Sequence, residues 1–262
     1  MHVVVTGASS GIGKAIAETY AAKGADLTLV ARREDLLLEI EKDLVEKYDV
    51  KVHVVVKDLS VPETAADFLE DAEEKLGVVD VLINNAGIQI VEAAHVVDPD
   101  AQDRMLNVDL LTPMRLCRAV LPAMVSRGHG SLVNVASVAG LAPVAGMTGY
   151  NAAKAGLGAY SESLAGEVAM HGVHVVTVYP GPVHTDLGAS GAARYESSLA
   201  FRMQAWGTVD VLAKKILRAV EKKNTRVVYP KSYGSVRFLP DGMVRFAMDL
   251  LTPSLKSSED SK

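Results

Sequence analysis

Seven apolar runs of strand length alternate with longer segments along the chain, and this alternation limits the folds that are open to it. The runs are HVVVT (2–6), DLTLVA (26–31), KVHVVV (51–56), VVDVLINN (78–85), GSLVNVAS (130–137), VHVVTVYP (173–180) and TRVVYP (225–230). Because most of them are continuously apolar, we expect strands buried on both faces, as in a parallel sheet covered by helices. The sequence therefore predicts a single doubly wound α/β domain with a mostly parallel, seven-stranded sheet and helices on both faces.

The intervening segments have helical periodicity. Helices are predicted over 11–23, over 33–48, from just after Pro62, in a region ending near Arg127, around Tyr150, and over 209–222. Residues 184–205, rich in Gly, Ala and Ser, are predicted to form a loop with short helices that covers a substrate. The domain is thus expected to span 1–230. An amphipathic extension, 231–262, is expected to pack on the domain or on a neighbouring subunit, or else to lie on a membrane surface.

The composition is that of an ordinary globular domain and disfavours two classes of partner. Of the 262 residues, 49% are hydrophobic and 23% are charged, which suits one domain with a substantial core. The formal net charge of −5 gives no general attraction to nucleic acid or to anionic lipid. We therefore expect a small-molecule ligand.

Cysteine usage and the first residues predict a cytoplasmic location. Cys117 is the only cysteine, so the chain forms neither an internal disulfide nor a thiolate-based zinc site. The opening MHVVVTGASS lacks the features of a secretion signal. Residues 128–153 carry no Asp, Glu, Lys or Arg and could cross a bilayer, but their polar and glycine content favours a strand and an active-site loop.

Two histidines have a spacing that can bind metal on a helix. His171 and His174 are three residues apart. Gly172 lies between them and is expected to end the helix there. No metal site is therefore predicted.

The turn after the first predicted strand reads TGASSGIG (6–13). Glycines allow a tight turn and let backbone N–H groups approach a pyrophosphate, whose charge the following helix N-terminus favours. The spacing is GxxxGxG, not the commoner GxGxxG, so the strand before it and the helix after it carry the prediction of a nucleotide site. A purely structural turn is the alternative. The predicted cofactor contacts in this turn are Gly7, Ser9, Ser10, Gly11, Ile12 and Gly13.

The end of the second strand predicts which dinucleotide binds. In such folds an acidic residue there binds the ribose 2′-OH, whereas this chain has Ala31 followed by Arg32 and Arg33. Guanidinium groups suit a phosphate, so the two arginines favour NADP over NAD. The alternative is that both arginines only begin a solvated helix, with Glu34 and Asp35 in its first turn.

The segment GYNAAKAG (149–156) places a tyrosine four residues before a lysine. On a helix, Tyr150 and Lys154 project from one face, one turn apart. We expect the ammonium to lower the pKa of the phenol and to bring its proton within reach of chemistry near neutral pH. The alternative is an exposed helix face that carries two unrelated residues.

Seven motifs in one order resemble those of the short-chain dehydrogenase/reductase family, from about Val3 to about Leu187. They are TGASSGIG (6–13), DLS (58–60), NNAG (84–87), NVD (107–109), VASVAG (135–140), YNAAK (150–154) and PGPVHTD (180–186). The resemblance implies a Rossmann-like domain in a homodimer or homotetramer. The catalytic residues that it implies are Asn107, Ser137, Tyr150 and Lys154.

The resemblance also implies cofactor contacts outside the glycine-rich turn. Asp58 and Leu59 would contact the adenine, and Val183 and Thr185 the nicotinamide. Asn85 would contact the cofactor or stabilise the end of its strand.

The implied catalytic roles have a physical account. Hydride arriving at a carbonyl carbon builds negative charge on the oxygen, which then needs a proton donor and a second hydrogen bond. Tyr150 would give the proton, and Ser137 would hold and polarise the oxygen. Lys154 would also hydrogen-bond the nicotinamide ribose, and the resemblance suggests that Asn107 holds a water connecting Lys154 to bulk solvent.

Together these features predict an NADP-dependent oxidoreductase that interconverts an alcohol and a ketone or aldehyde, with Tyr150 as general acid or base. One alternative is an NADP(H)-binding regulatory or redox-sensing protein without turnover. Another is an enzyme that acts on lipid carbonyls at a membrane. The residues expected to line an apolar substrate pocket are Val138, Leu141, Val144 and Met147.

Overall fold

A parallel sheet of seven strands lies at the centre of the computed structural model. The structure describes residues 1–196, 204–234, 242–243 and 254–256. The strands are β1 (His2–Thr6), β2 (Asp26–Ala31), β3 (Val52–Val56), β4 (Val79–Asn84), β5 (Gly130–Val135), β6 (Val173–Pro180) and β7 (Arg226–Tyr229). Their order in the sheet is β3-β2-β1-β4-β5-β6-β7. All six neighbouring strand pairs run parallel, which confirms the predicted sheet.

Burial falls from the centre of the sheet to its edges. Every residue of β1, β5 and β6 is buried, whereas β3 and β7 are partly exposed. A strand covered on both faces needs apolar side chains at successive positions, and this explains the unbroken valine runs. The predicted strands extend one or two residues too far at several ends, as at Ser137, which follows β5 and caps the next turn.

Eight helices of the described residues connect and cover the strands. They are α1 (Gly11–Ala21), α2 (Glu34–Tyr48), α3 (Phe68–Leu76), α4 (Pro99–Leu106), α5 (Thr112–Arg127), α6 (Thr148–Val168), α7 (Asp186–Ala193) and α8 (Val209–Glu221). The third helix begins at Phe68, five residues later than the predicted start just after Pro62, because turns occupy the intervening residues. The region that ends at Arg127 is two helices, α4 and α5, joined by a π-helical segment, Asn107–Leu111.

The two faces of the sheet pack against different helices. Val3 and Val5 point into one apolar layer, which they share with residues of α1, α2 and α8. Val4 points into the opposite layer, together with residues of α3, α5 and α6. Alternate side chains of one strand thus serve opposite layers, as the two-residue repeat of a β-strand requires. The predicted coverage by helices on both faces is confirmed.

The uncharged stretch 128–153 lies in the centre of the domain. It forms β5, a short helical turn (Val138–Gly140) and the start of α6. Within the described ranges, no helix combines the length and apolar character that a bilayer crossing needs. Cys117 is fully buried and accepts a hydrogen bond from Asn84 Nδ2 at 3.2 Å. The single thiol is therefore a core residue.

The two histidines of the metal-binding spacing lie on different elements. The helical turn after α6 ends at His171, and Gly172 follows as its C-cap with a φ of +72°, so the predicted helix end at Gly172 is confirmed. His174 lies in β6, with Nε2 3.2 Å from the carbonyl oxygen of Asn224.

The C-terminal extension is described only in part. Its predicted apolar face consists of residues at helical spacing, namely Val236, Leu239, Met243, Phe246, Ala247 and Leu250. All of these except Met243 lie outside the described residues. Residues 254–256 pair with the chain after α7. Glu196 N donates to Ser254 O at 2.9 Å, and Lys256 N donates to Arg194 O at 3.0 Å. This part of the extension packs on the domain.

Candidate active site

A cavity of about 1050 Å³ is lined by residues at or just beyond the C-terminal ends of the strands. Its wall includes segments that follow β1, β2, β3 and β4 as well as the ends of β5 and β6. Chain connections leave β1 and β4 toward opposite sides of the sheet, and ligands of open α/β folds bind at such a switch point.

The glycine-rich turn forms one end of this cavity. Gly7 and Gly11 have positive φ values of 66° and 56°. A Cβ atom on Gly7 would lie 2.8 Å from Ala86 Cα, and one on Gly13 would lie 2.2 Å from Gly7 O. Gly7 and Gly11 line the cavity, together with Ser9, Ser10 and Ile12, whereas Gly13 lies behind the wall and lets α1 approach the turn. The turn fits a pyrophosphate at a helix N-terminus.

The two arginines after β2 lie on the same part of the wall. Arg33 Nη2 donates to Ser9 Oγ at 2.9 Å and to Ser10 Oγ at 2.7 Å. Arg32 is exposed, so its guanidinium is available to a ligand phosphate. Both positions therefore fit a ribose 2′-phosphate, and Arg33 does more than begin a solvated helix. Asp58 and Leu59 line the cavity nearby, after β3.

Asn85 joins β4 to the glycine-rich turn. Its Nδ2 donates to Thr6 O at 3.0 Å, and its backbone N donates to Thr6 Oγ1 at 3.0 Å. The strand-stabilising role is thus observed, whereas a contact between Asn85 and a cofactor stays a prediction. Val183 and Thr185 also line the cavity, and Thr185 Oγ1 caps α7 by accepting from Gly188 N at 3.0 Å.

Tyr150 and Lys154 face the cavity from α6. Lys154 Nζ lies 5.8 Å from the centroid of the Tyr150 ring. The two residues are 8% and 4% exposed, so the alternative of an exposed helix face is wrong. Nζ also donates to Val135 O at 3.1 Å, which ties the lysine to the end of β5.

The pKa of Tyr150 does not follow the sequence-based expectation. Burial of the phenol raises its pKa, and the Asp109 carboxylate raises it further. The Lys154 ammonium and a hydrogen bond with Ser137 lower it, as expected, but they do not offset the burial. The net pKa therefore lies above the ordinary value of 10.0, and the phenol is protonated at neutral pH.

Ser137 and Asn107 are held by backbone contacts. Ser137 Oγ accepts from Ala139 N at 3.1 Å, and the residue lines the cavity. Asn107 Nδ2 donates to Ser60 O at 3.0 Å at the start of the π-helical segment. The catalytic roles of both residues, including a water held by Asn107, stay predictions.

The family model described as short chain dehydrogenase matches residues 1–196. This chain belongs to the short-chain dehydrogenase/reductase family.

Three known proteins show how similar other family members are. An uncharacterized oxidoreductase of Staphylococcus saprophyticus is 35% identical over 70% of this chain and 79% of its own. Bovine 3-ketodihydrosphingosine reductase is 38% identical over 68% of this chain, which spans 55% of that reductase. A short-chain dehydrogenase from Sphingobium yanoikuyae, solved in complex with NADPH, superposes with a TM-score of 0.81 at 28% identity, covering 98% of this chain and 99% of that one.

This short-chain dehydrogenase/reductase has a buried carboxylate that the sequence analysis did not assign. Asp109 is fully buried, and its Oδ2 lies 3.4 Å from Lys154 Nζ. Its Oδ1 accepts from Ile88 N at 2.7 Å. A charged residue within the apolar segment LNVDLL was the available signal, but the sequence does not show which residue faces it.

The substrate end of the cavity is largely apolar. Val138, Val144 and Met147 line the cavity as predicted, whereas Leu141 does not, and Ala142 is a lining residue that the sequence did not predict. Residues of α7 and Trp206 also line the cavity. That the segment 184–205 covers a substrate stays a prediction, and residues 197–203 lie outside the described residues. Gln89 was missed by the sequence analysis. It also lines the cavity, and its buried Oε1 has no hydrogen-bond partner within the described structure.

Proposed function

We propose that this protein is an NADP-dependent oxidoreductase that interconverts an alcohol and a ketone or aldehyde, with Tyr150 as general acid in reduction and general base in oxidation. The observation that carries the proposal is that Tyr150, Lys154 and Ser137 line the same cavity as the glycine-rich turn. A proton donor thus lines the same cavity as the turn that would bind the phosphates of the nucleotide.

The preference for NADP rests on the wall after β2. When bound, NADP(H) supplies or accepts the hydride. Arg32 and Arg33 would hold the ribose 2′-phosphate by charge-assisted hydrogen bonds, and the α1 N-terminus would hold the pyrophosphate. The NADPH complex of the similar Sphingobium enzyme supports this choice. The residues that would complete the cofactor site are Asp58, Leu59, Val183 and Thr185.

Tyr150 is suited to donate a proton to the carbonyl oxygen during reduction. An alkoxide is a much stronger base than a phenolate, so a phenol of raised pKa still gives its proton to the developing alkoxide. Ser137 is placed at the same wall to stabilise the charge on that oxygen. Lys154 would hold the nicotinamide ribose and stabilise the phenolate left after the transfer.

We propose a ketone with apolar substituents as the substrate. The apolar wall and the segment containing α7 exclude water from the carbonyl and favour a substrate of low polarity. The similarity to 3-ketodihydrosphingosine reductase is consistent with such a substrate. The unpartnered Gln89 Oε1 would accept a hydrogen bond from a hydroxyl or amino group near the carbonyl.

The test is the oxidation of NADPH and of NADH over a panel of ketones and aldehydes that differ in the length of their apolar substituents. The proposal expects turnover with NADPH, with kcat/KM rising with apolar length. Much faster turnover with NADH would contradict the assignment of Arg32 and Arg33. Tight NADPH binding without turnover of any carbonyl would instead favour the regulatory or redox-sensing alternative.

A further inference from the structure

Asp109 and Lys154 form an ion pair that is shielded from water. Their nearest charged atoms are 3.4 Å apart, and their side chains are 0% and 5% exposed. The other carboxylate oxygen accepts a hydrogen bond from Ile88 N at 2.7 Å. One side chain of the π-helical segment therefore connects α6 with the segment that follows β4.

The Asp109–Lys154 pair lies close enough to Tyr150 for its charges to affect the phenol. A Cβ atom on Gly87 would lie 3.4 Å from Asp109 Oδ1 and 3.5 Å from Lys154 Nζ, at ordinary van der Waals distances, so the backbone after β4 passes close to both groups. Burial raises the pKa of the Asp109 carboxyl, whereas the Lys154 ammonium and the hydrogen bond from Ile88 N lower it. The charges of Lys154 and Asp109 shift the pKa of Tyr150 in opposite directions, so the protonation of the phenol depends on both.

Stability alone is a poor explanation for this arrangement. Removing two charges from water costs free energy that their attraction often fails to recover, and apolar residues of similar volume are frequently as stable. Lys154 also already has a neutral acceptor, the carbonyl oxygen of Val135. The buried Asp109 carboxylate therefore matters for the net charge around Lys154.

We propose that Asp109 is a positioning residue, whose carboxylate holds the Lys154 ammonium and sets the pH at which the Tyr150 phenol gives up its proton. The inference rests on the proposed function, because it assigns Asp109 a part in the proton transfer of Tyr150.

The net charge of Asp109, Lys154 and Tyr150 explains why Asp109 would affect the phenol. With Asp109 ionised, loss of the phenol proton leaves two buried negative charges beside one ammonium. Without the carboxylate, the phenolate would be the counterion of Lys154, and the ionised phenol would be favoured. Asp109 therefore keeps Tyr150 protonated, which is the form that donates the proton in carbonyl reduction.

The variant Asp109→Asn tests this role, because its amide oxygen keeps an acceptor for Ile88 N while the charge is lost. Tyrosinate absorbance would be followed against pH in the full-length chain. The same titration in the Tyr150→Phe background would be subtracted, since the chain has eight tyrosines. We expect the Tyr150 signal to appear about one pH unit lower in Asp109→Asn, which is about a tenfold larger phenolate fraction at a given pH. An unchanged or higher midpoint would overturn the proposal.

Two controls keep the test informative. Asp103→Asn removes the same charge from an exposed position of α4 and should leave the midpoint unchanged. If Asp109→Asn unfolds at alkaline pH, a double-mutant cycle at neutral pH replaces the titration. It compares the loss in the free energy of unfolding that Asp109→Asn causes in the wild type with the loss that it causes in Lys154→Met. A smaller loss in the Lys154→Met background supports the pairing, and an equal loss contradicts it.

The titration needs neither substrate nor turnover and therefore separates the two proposals. A lowered midpoint in a protein that reduces no carbonyl contradicts the proposed function alone. An unchanged midpoint in an active reductase contradicts the role of Asp109 alone.

Discussion

Lys154 Nζ lies 5.8 Å from the centroid of the Tyr150 ring, and both side chains face the cavity that the glycine-rich turn also lines. The spacing of four residues brings the two groups to one face of α6, and β5 fixes the lysine through the Val135 carbonyl. A phenol with an ammonium group beside it therefore lines the cavity in which the proposed function requires a nicotinamide and a carbonyl to meet.

The two directions of the reaction should differ in their pH dependence. Because burial raises the pKa of Tyr150 above its ordinary value of 10.0, the phenol stays protonated up to that pH. We expect kcat/KM for reduction to be nearly constant from about pH 6 to about pH 10, and kcat/KM for oxidation to rise about tenfold per pH unit. Measurements at constant ionic strength test this, and an oxidation rate that levels off near neutral pH would contradict it.

Arg32→Ala should weaken NADPH binding specifically. Loss of a charge-assisted hydrogen bond costs about 1.5–3 kcal/mol, which corresponds to about a 10- to 100-fold higher Kd for NADPH. The Kd for NADH should stay unchanged because NADH lacks the 2′-phosphate. Titration calorimetry measures both constants. Arg118→Ala, at an exposed position of α5, is the matched control. Equal weakening of both cofactors would contradict the role of Arg32.

Gly13→Ala should destabilise the domain, whereas Gly166→Ala should stabilise it. A Cβ atom on Gly13 would lie 2.2 Å from Gly7 O, and we expect a loss of about 1–3 kcal/mol in the free energy of unfolding. Gly166 is exposed in α6, and a Cβ atom there would have no atom of the described residues within 4 Å. Alanine at this position should therefore add up to about 1 kcal/mol. Urea unfolding measures both changes. If the two variants changed the free energy of unfolding equally, the turn would tolerate a side chain, and the prediction would be wrong.

Much of the fold could be predicted because buried parallel strands need continuous apolar sequence. The strand 173–180 was predicted with its observed ends because all of its residues are buried. Helix α7 was predicted only as a short helix within the loop 184–205, although Thr185 at its N-cap and Asp186 in its first turn were signals of its start.

The charges of the site could be predicted only in part. The spacing of Tyr150 and Lys154 indicated their shared face, because helix geometry depends on local sequence. The sign of the Tyr150 pKa shift depends on burial and on Asp109, which a π-helical segment directs toward Lys154. Neither the burial nor that contact between distant parts of the chain can be read from local spacing.

Single-turnover oxidation of NADPH by a ketone substrate, in the wild type and in Tyr150→Phe, tests the central claim most directly. We expect NADPH still to bind the variant and the rate constant of its oxidation to fall by about 10²- to 10⁴-fold, because the proton donor is lost. A Tyr150→Phe variant that oxidises NADPH at the wild-type rate would contradict the account.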